Sequence, residues 1–234
     1  MDHLGAHDPN QFWFGGEATF YLNGRVECHN LVYLYDQPDT PENKIAPLRM
    51  GSQVTVWAAI NSEGLIGPYI YVGEPNLKAY QLFLRKFVYE LRQTYRYKHV
   101  RKPLFIQDDA PLHNHSHEYL ESEFPNHWIG PGSDYSTWPR LSPDINPLCF
   151  FLWGHIKSHV YEQPMLSDDV AELEFRIHEA FMSVRPNMLK QVWDDYLARL
   201  KQVVEKNGSL IDVHHDYENV SIQNDLKAMR WVSR

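Results

Sequence analysis

The sequence predicts an α/β protein built on a mixed sheet covered by helices. Three observations lead there. Apolar segments with hairpin-type turns fill the N-terminal third, a long segment with helical spacing follows, and short apolar strands then alternate with helices up to a helical C-terminal region.

The elements follow in order. Phe12-Trp13-Phe14 and Ala18 to Leu22 read as β, and Asn23-Gly24 predicts a turn back through Val26, Leu31, Val32 and Tyr33. Pro38, Pro41 and Pro47 make residues 36–50 a loop, since proline lacks the donor a ladder needs. Gln53 to Ile60 and Leu65 to Val72, joined by Asn61-Ser62-Glu63-Gly64, form a second hairpin. From Asn76 to about Tyr97, Leu77, Tyr80, Leu84, Phe87, Val88 and Leu91 recur at helical spacing behind Pro75. Lys102 to Gln107 is a short apolar strand ending at Asp108-Asp109, and His127-Trp128-Ile129 is another, with a helix over 114–124 between them. A Gly/Pro-rich loop, 130–147, leads into helices over 148–161, 167–184 and 186–206, with Ser167-Asp168-Asp169 and Pro186 as starts and Gly208 as a stop. The tail, 209–234, carries no clear pattern.

Length and an apolar content of 43% allow one sizeable core, so residues 1–234 are expected to form one domain. The longest apolar runs, such as Cys149 to Trp153, are far short of a membrane span, and Met1-Asp2-His3 is no secretory leader. The expected location is the nucleus or cytoplasm. Cys28 and Cys149 have no CxxC spacing, which excludes a disulfide framework or a cysteine zinc cage. A net charge of −8 argues against nucleic-acid binding by bulk attraction. One segment differs: Arg85, Lys86, Arg92, Arg96, Lys98, Arg101 and Lys102 face a single acidic residue, Glu90. It reads as a solvated helix face, with weak DNA contact as the functional alternative.

Phe105-Ile106-Gln107-Asp108-Asp109-Ala110-Pro111-Leu112-His113 is the most informative stretch. A strand that delivers Asp108 to its exposed end suits metal-dependent phosphoryl chemistry, because hard divalent cations take oxygen ligands and a strand fixes their position. An Asp at a strand end is by itself more often a turn former. His113, His115 and His117 invite a zinc reading through the i, i+4 pair His113 and His117, but no companion Cys or carboxylate motif has metalloenzyme spacing. Phe150, Phe151 and Trp153 read as helix core rather than a base-stacking platform.

The second informative stretch is Trp138-Pro139-Arg140-Leu141-Ser142-Pro143-Asp144-Ile145-Asn146-Pro147-Leu148-Cys149-Phe150-Phe151-Leu152-Trp153-Gly154. With it the chain resembles the Tc/mariner transposases, in particular the insect-type group. The pattern of that group reads Gln-Asp-Gly-Ala-Pro-Pro-His and then Trp-Pro-Pro-Arg-Ser-Pro-Asp-Leu-Thr-Pro-Leu-Asp-Phe-Phe-Leu-Trp-Gly. Glu17 to Val26, His29-Asn30, Val56-Trp57, Ile66-Gly67-Pro68, Phe124 to Gly130 and Asn207-Gly208 extend the resemblance over nearly the whole chain.

The resemblance implies an RNase H-like fold in which three carboxylates hold two Mg²⁺ or Mn²⁺ ions for DNA cleavage and strand transfer. The second family carboxylate falls on Asp108. The first falls on Gly16, within Phe14-Gly15-Gly16-Glu17-Ala18-Thr19-Phe20, and the third on Cys149, so the expectation is a protein inactive or nearly so. Glu17, Asp109 and Asp144 are the candidate substitutes. Glu17 should point away from the face of Gly16 unless a bulge intervenes, Asp109 stands where the pattern has glycine, and Asp144 has a structural place in Ser-Pro-Asp. A thiolate is a poor ligand for Mg²⁺. His113 matches the family motif and is expected to hydrogen-bond near Asp108, or to join the basic residues in contacting nucleic acid.

The family's complete proteins carry helix-turn-helix domains before the core, whereas the first catalytic position here is residue 16. On that reading specific end recognition is lost, and the chain is a fragment, a decayed copy or a core kept for another use. Three roles stay open: an inactive domain with residual DNA binding, a protein-interaction module or homodimer, and a nuclease rebuilt on Glu17, Asp108 and Asp144.

Overall fold

The structure is a computed structural model that describes residues 8–22, 53–74, 76–95, 102–140, 142–165 and 169–211. Its centre is a five-stranded sheet of order β3-β2-β1-β4-β5. Strands β1 (Phe12–Tyr21), β2 (Gln53–Asn61) and β3 (Gly64–Val72) run antiparallel, while β4 (Leu104–Ile106) is parallel to β1 and β5 (Trp128–Ile129) is parallel to β4. Helix α1 (Leu77–Tyr95) makes the crossover from β3 to β4.

The two-residue period of the strands divides the core between two faces. Phe12, Phe14, Ala18 and Phe20 of β1 point to one side, where α3 (Trp153–Val160), α4 (Val170–Met182) and α5 (Pro186–Glu205) pack. Trp13 points to the other with Trp57, Phe105 and Trp128, under α1 and α2 (His117–Glu123). Both faces are covered, so β1 and β2 are buried along most of their length.

β1 is one ten-residue strand, not two pieces flanking Gly15-Gly16. Its register with β2 is unbroken from Phe14 to Tyr21. Gly15 makes this possible, because a Cβ there would lie 2.7 Å from the Phe105 ring and 3.0 Å from Trp57. Gly15→Ala is therefore expected to destabilise the fold by about 2 kcal/mol through overpacking. Urea unfolding measures it, and an unchanged midpoint would mean that Phe105 and Trp57 move aside freely. The hairpin through Asn23-Gly24 and the proline-rich loop lie outside the described residues.

The hairpin β2–β3 and the crossover helix match the sequence expectation, whereas three helices are shorter than expected. The segment 114–124 divides at Ser116 into a 3₁₀ turn, Pro111–His115, and α2. Ser116 Oγ donates to the His113 carbonyl at 2.7 Å and accepts from Gln107 Nε2 at 3.0 Å, which pins the break. The segment 148–161 opens with a wide π turn, Leu148–Leu152, because Asn146 gathers the leading amides. Its Oδ1 accepts from Leu148 N at 3.0 Å, and its carbonyl accepts from Cys149 N and Phe150 N. α4 starts at Val170 because Asp169, within the expected start Ser167-Asp168-Asp169, caps it, accepting from Ala171 N at 3.0 Å. Asn207 and Gly208, both at positive φ, end α5 as expected.

Candidate functional site

The parallel register Phe14↔Ile106, continued two residues, sets Gly16 beside Asp108 at the carboxyl end of β4. The π turn brings Cys149 to the same place. Together these residues line a cavity of about 160 Å³, with Glu17, Asp109, Trp138, Asn146, Leu148 and Trp153 among its walls. The three family positions thus converge, and one of them carries a carboxylate.

Asp108 is held from behind. Its Oδ1 accepts from Ala110 N at 3.1 Å and lies 2.9 Å from His113 Nδ1, which is also 3.0 Å from the Asp108 carbonyl. The other ring nitrogen, Nε2, is 3.1 Å from Glu17 Oε2. Acceptors at both nitrogens favour the doubly protonated ring, the imidazolium. Burial of the ring, 1% exposed, pulls its pKa down, but the Glu17 charge and the Asp108 bond outweigh this and lift it to about 10. Tyr80 stacks on the imidazolium with centroids 5.0 Å apart, and its hydroxyl bonds Gln107 Oε1. Burial, followed by the Glu17 charge, raises the Tyr80 phenol well above its usual value. Glu17 Oε1 is buried without a hydrogen-bond partner among the described residues.

Glu17 projects from the face of β1 opposite Gly16, with no bulge in that strand, and reaches Asp108 only through His113. Asp109 pairs with Arg140, Nε to Oδ2 at 2.8 Å, at the cavity wall. Asp144 is not among the residues that line the cavity. Its Oδ2 accepts from Ile211 N at 3.0 Å and its carbonyl from Arg199 at 2.9 Å, which ties α5 and the segment after it to the loop before the π turn.

The His113 side chain, also named as a nucleic-acid contact, is 1% exposed and lies between Glu17 and Asp108. The zinc reading fares no better. Ser116 separates His113 from the helix that His117 begins, the His117 ring meets Trp128 edge-on at 5.9 Å, and no metal-holding group of three or more ligands occurs among the described residues.

The described residues of the basic segment engage protein groups. Arg85 lies over the Tyr119 ring at 5.5 Å and Lys86 over Tyr69 at 5.4 Å. Arg92 pairs with Glu123, and Lys102 donates to the Pro125 carbonyl at 2.9 Å. Arg96, Lys98 and Arg101 lie outside the described residues.

Two contacts escape a reading of the sequence. Glu17 and His113 are 96 residues apart. Asp109 and Arg140 left a trace, since each departs from the quoted pattern, at its glycine and at its second proline, and the two departures touch.

No family model matches the chain. Its sequence is similar to the Tc3 transposable-element transposase of Caenorhabditis elegans, 28% identical over 201 residues that make up 85% of this chain and 57% of that protein. The Mos1 transposase catalytic domain, solved with raltegravir and Mg, superposes with a TM-score of 0.63 over 90% of each chain at 16% identity. The mariner Mos1 catalytic domain alone gives 0.59 over 87% of this chain and 85% of that one, at 19% identity. The chain has the RNase H-like fold of a transposase catalytic domain. In the Mos1 paired-end complex with Mn the likeness, at 18% identity and a TM-score of 0.66, covers 90% of this chain and 60% of the transposase. This chain thus spans about three fifths of the full-length relatives it matches.

The residues at the transposase positions do not fit a pair of Mg²⁺ or Mn²⁺ ions. Hard cations need several oxygen ligands, and Gly16 supplies none. Burial, with the Asp108 charge added, pushes the Cys149 thiol up to about 12, so it is protonated at neutral pH. Asp108 has one oxygen engaged by Ala110 and His113, and the imidazolium offsets the charge that would attract a cation. Among the described residues no helix is long and apolar enough to cross a membrane.

Proposed function

We propose that this chain is a transposase-derived RNase H-like domain that no longer cuts DNA and retains at most weak contact with it. The observation that carries the reading is the converged site with one carboxylate, Asp108, facing a glycine and a protonated thiol. Two-metal cleavage needs ligands that bridge two ions about 4 Å apart, and a single aspartate cannot hold that geometry. Tc3 and Mos1 give the ancestral activity, transposition, as the point of departure. Nothing in the donor set supports a nuclease rebuilt on Glu17, Asp108 and Asp144, because Asp144 serves Ile211.

The purified chain mixed with labelled DNA and Mn²⁺ is expected to leave the DNA intact. Cleavage that vanishes in Asp108→Ala would overturn the proposal. A protein-interaction role without DNA is the second reading, favoured by the net charge of −8 and by the engagement of Arg85, Lys86, Arg92 and Lys102 with protein groups. A salt titration separates the two, because only binding through phosphate contacts weakens steeply with salt.

A further inference from the structure

Away from the cavity, α3 carries two histidines one turn apart. The rings of His155 and His159 approach to 4.3 Å between centroids, tilted by 46°. Their hydrogen bonds fix where each neutral ring keeps its lone pair. His159 Nδ1 lies 2.9 Å from the His155 carbonyl, which can only accept, so Nδ1 holds the proton and Nε2 the lone pair. Ser183 decides the other ring. Its hydroxyl gives its proton to the Ala180 carbonyl at 2.7 Å, so it accepts from His155 Nε2 at 2.8 Å, and His155 Nδ1 keeps the lone pair. Phe151 stacks on His155 at 5.6 Å and limits its rotation. His159 is exposed and His155 half-buried, so an ion reaches the pair from solvent.

We propose that His155 and His159 form a two-imidazole site for a borderline divalent metal of the Zn²⁺ class, distinct from the Asp108 cavity. Spacing of i, i+4 sets both rings on one face of the helix. Imidazole nitrogen suits Zn²⁺ and disfavours Mg²⁺, which takes oxygen. The bonds from His159 Nδ1 to a carbonyl and from His155 Nε2 to Ser183 Oγ are outer contacts of the kind that orient metal-bound imidazoles and set their tautomers. No third His, Cys, Asp or Glu joins them among the described residues, so water completes the shell.

The test is histidine ¹⁵N NMR on the full chain titrated with ZnCl₂, because it resolves each ring nitrogen against the other histidines. His155 Nδ1 and His159 Nε2 are expected to shift together, and a large excess of MgCl₂ to leave both unchanged. In His159→Asn, an exposed position whose melting curve should not move, the Zn²⁺ concentration needed to shift His155 is expected to rise at least ~10-fold. Ser183→Ala, which frees the His155 tautomer, is expected to weaken binding by ~10-fold, the scale of outer-contact losses at metal sites. The proposal is overturned if either nitrogen stays unshifted while other histidines respond, or if His155 responds to Zn²⁺ unchanged in His159→Asn.

Discussion

His113→Gln is expected to destabilise the protein by about 3 kcal/mol, the lower end of the ~3–5 kcal/mol for breaking a buried ion pair. The ring is 1% exposed and bridges Glu17 Oε2 and Asp108 Oδ1, so its loss leaves Glu17 with an uncompensated charge on a side chain 17% exposed. Asp108, at 41%, recovers solvation, which sets the lower end. In the double variant Glu17→Gln/His113→Gln the total should fall short of the sum of the singles, because the stranded charge is gone. Stability should also depend on pH in a defined direction. A folded pKa of about 10 against an unfolded value near 6.5 means the His113 contribution is full below about 6.5 and is lost as pH rises toward 10. The wild-type melting temperature should therefore decline from about pH 7 to about pH 9.5, and His113→Gln should lack that slope. Measurement stops there because the buried phenols Tyr80 and Tyr196, raised by desolvation, add their own loss once unfolded tyrosines ionise near pH 10. Parallel slopes in the two proteins would show that His113 is neutral in the fold.

What the sequence makes legible are features with a local cause. The β2–β3 hairpin announces itself by apolar segments around Asn61-Ser62-Glu63-Gly64, and α1 by apolar residues at helical spacing. The convergence of residues 16, 108 and 149 was legible as well, through a resemblance that spans the chain. Helix boundaries were not, because they depend on single side chains whose bonds are set by tertiary position. Ser116 breaks a helix by bonding Gln107, and Asn146 opens a π turn by gathering amides, yet neither residue type signals this. The clamp on Asp108 joins residues 96 apart, so no local pattern records it. The orientation of Asp144 has a related cause: this carboxylate, near the site in sequence, accepts from Ile211 N within its 3₁₀ turn. His155 and His159 stand at i, i+4 within a helix whose apolar residues dominate its sequence pattern.

Restoring both missing carboxylates, Gly16→Asp with Cys149→Asp, is expected to create a protein whose stability depends on Mn²⁺. The space permits it. A Cβ at Gly16 meets Leu148 Cδ1 at 3.1 Å, the end of a flexible side chain that needs to yield by only a few tenths of an ångström, and position 149 already lines the cavity with Asp108. Electrostatics then decide the outcome. In the wild type His113 offsets one of the two negative charges of Glu17 and Asp108, whereas the variant adds two more without a new cation. In EDTA the three carboxylates repel one another, and the variant should melt below the wild type. Mn²⁺ at about 100 times its Kd should return ~2.7 kcal/mol by binding the folded state alone. The wild type should melt at the same temperature in EDTA and in Mn²⁺. A wild-type melting curve that rises with Mn²⁺ would contradict the misfit of the present ligands. A variant indifferent to Mn²⁺ would show that losing the site took more than Gly16 and Cys149, and the His113 clamp would then be the feature to release next.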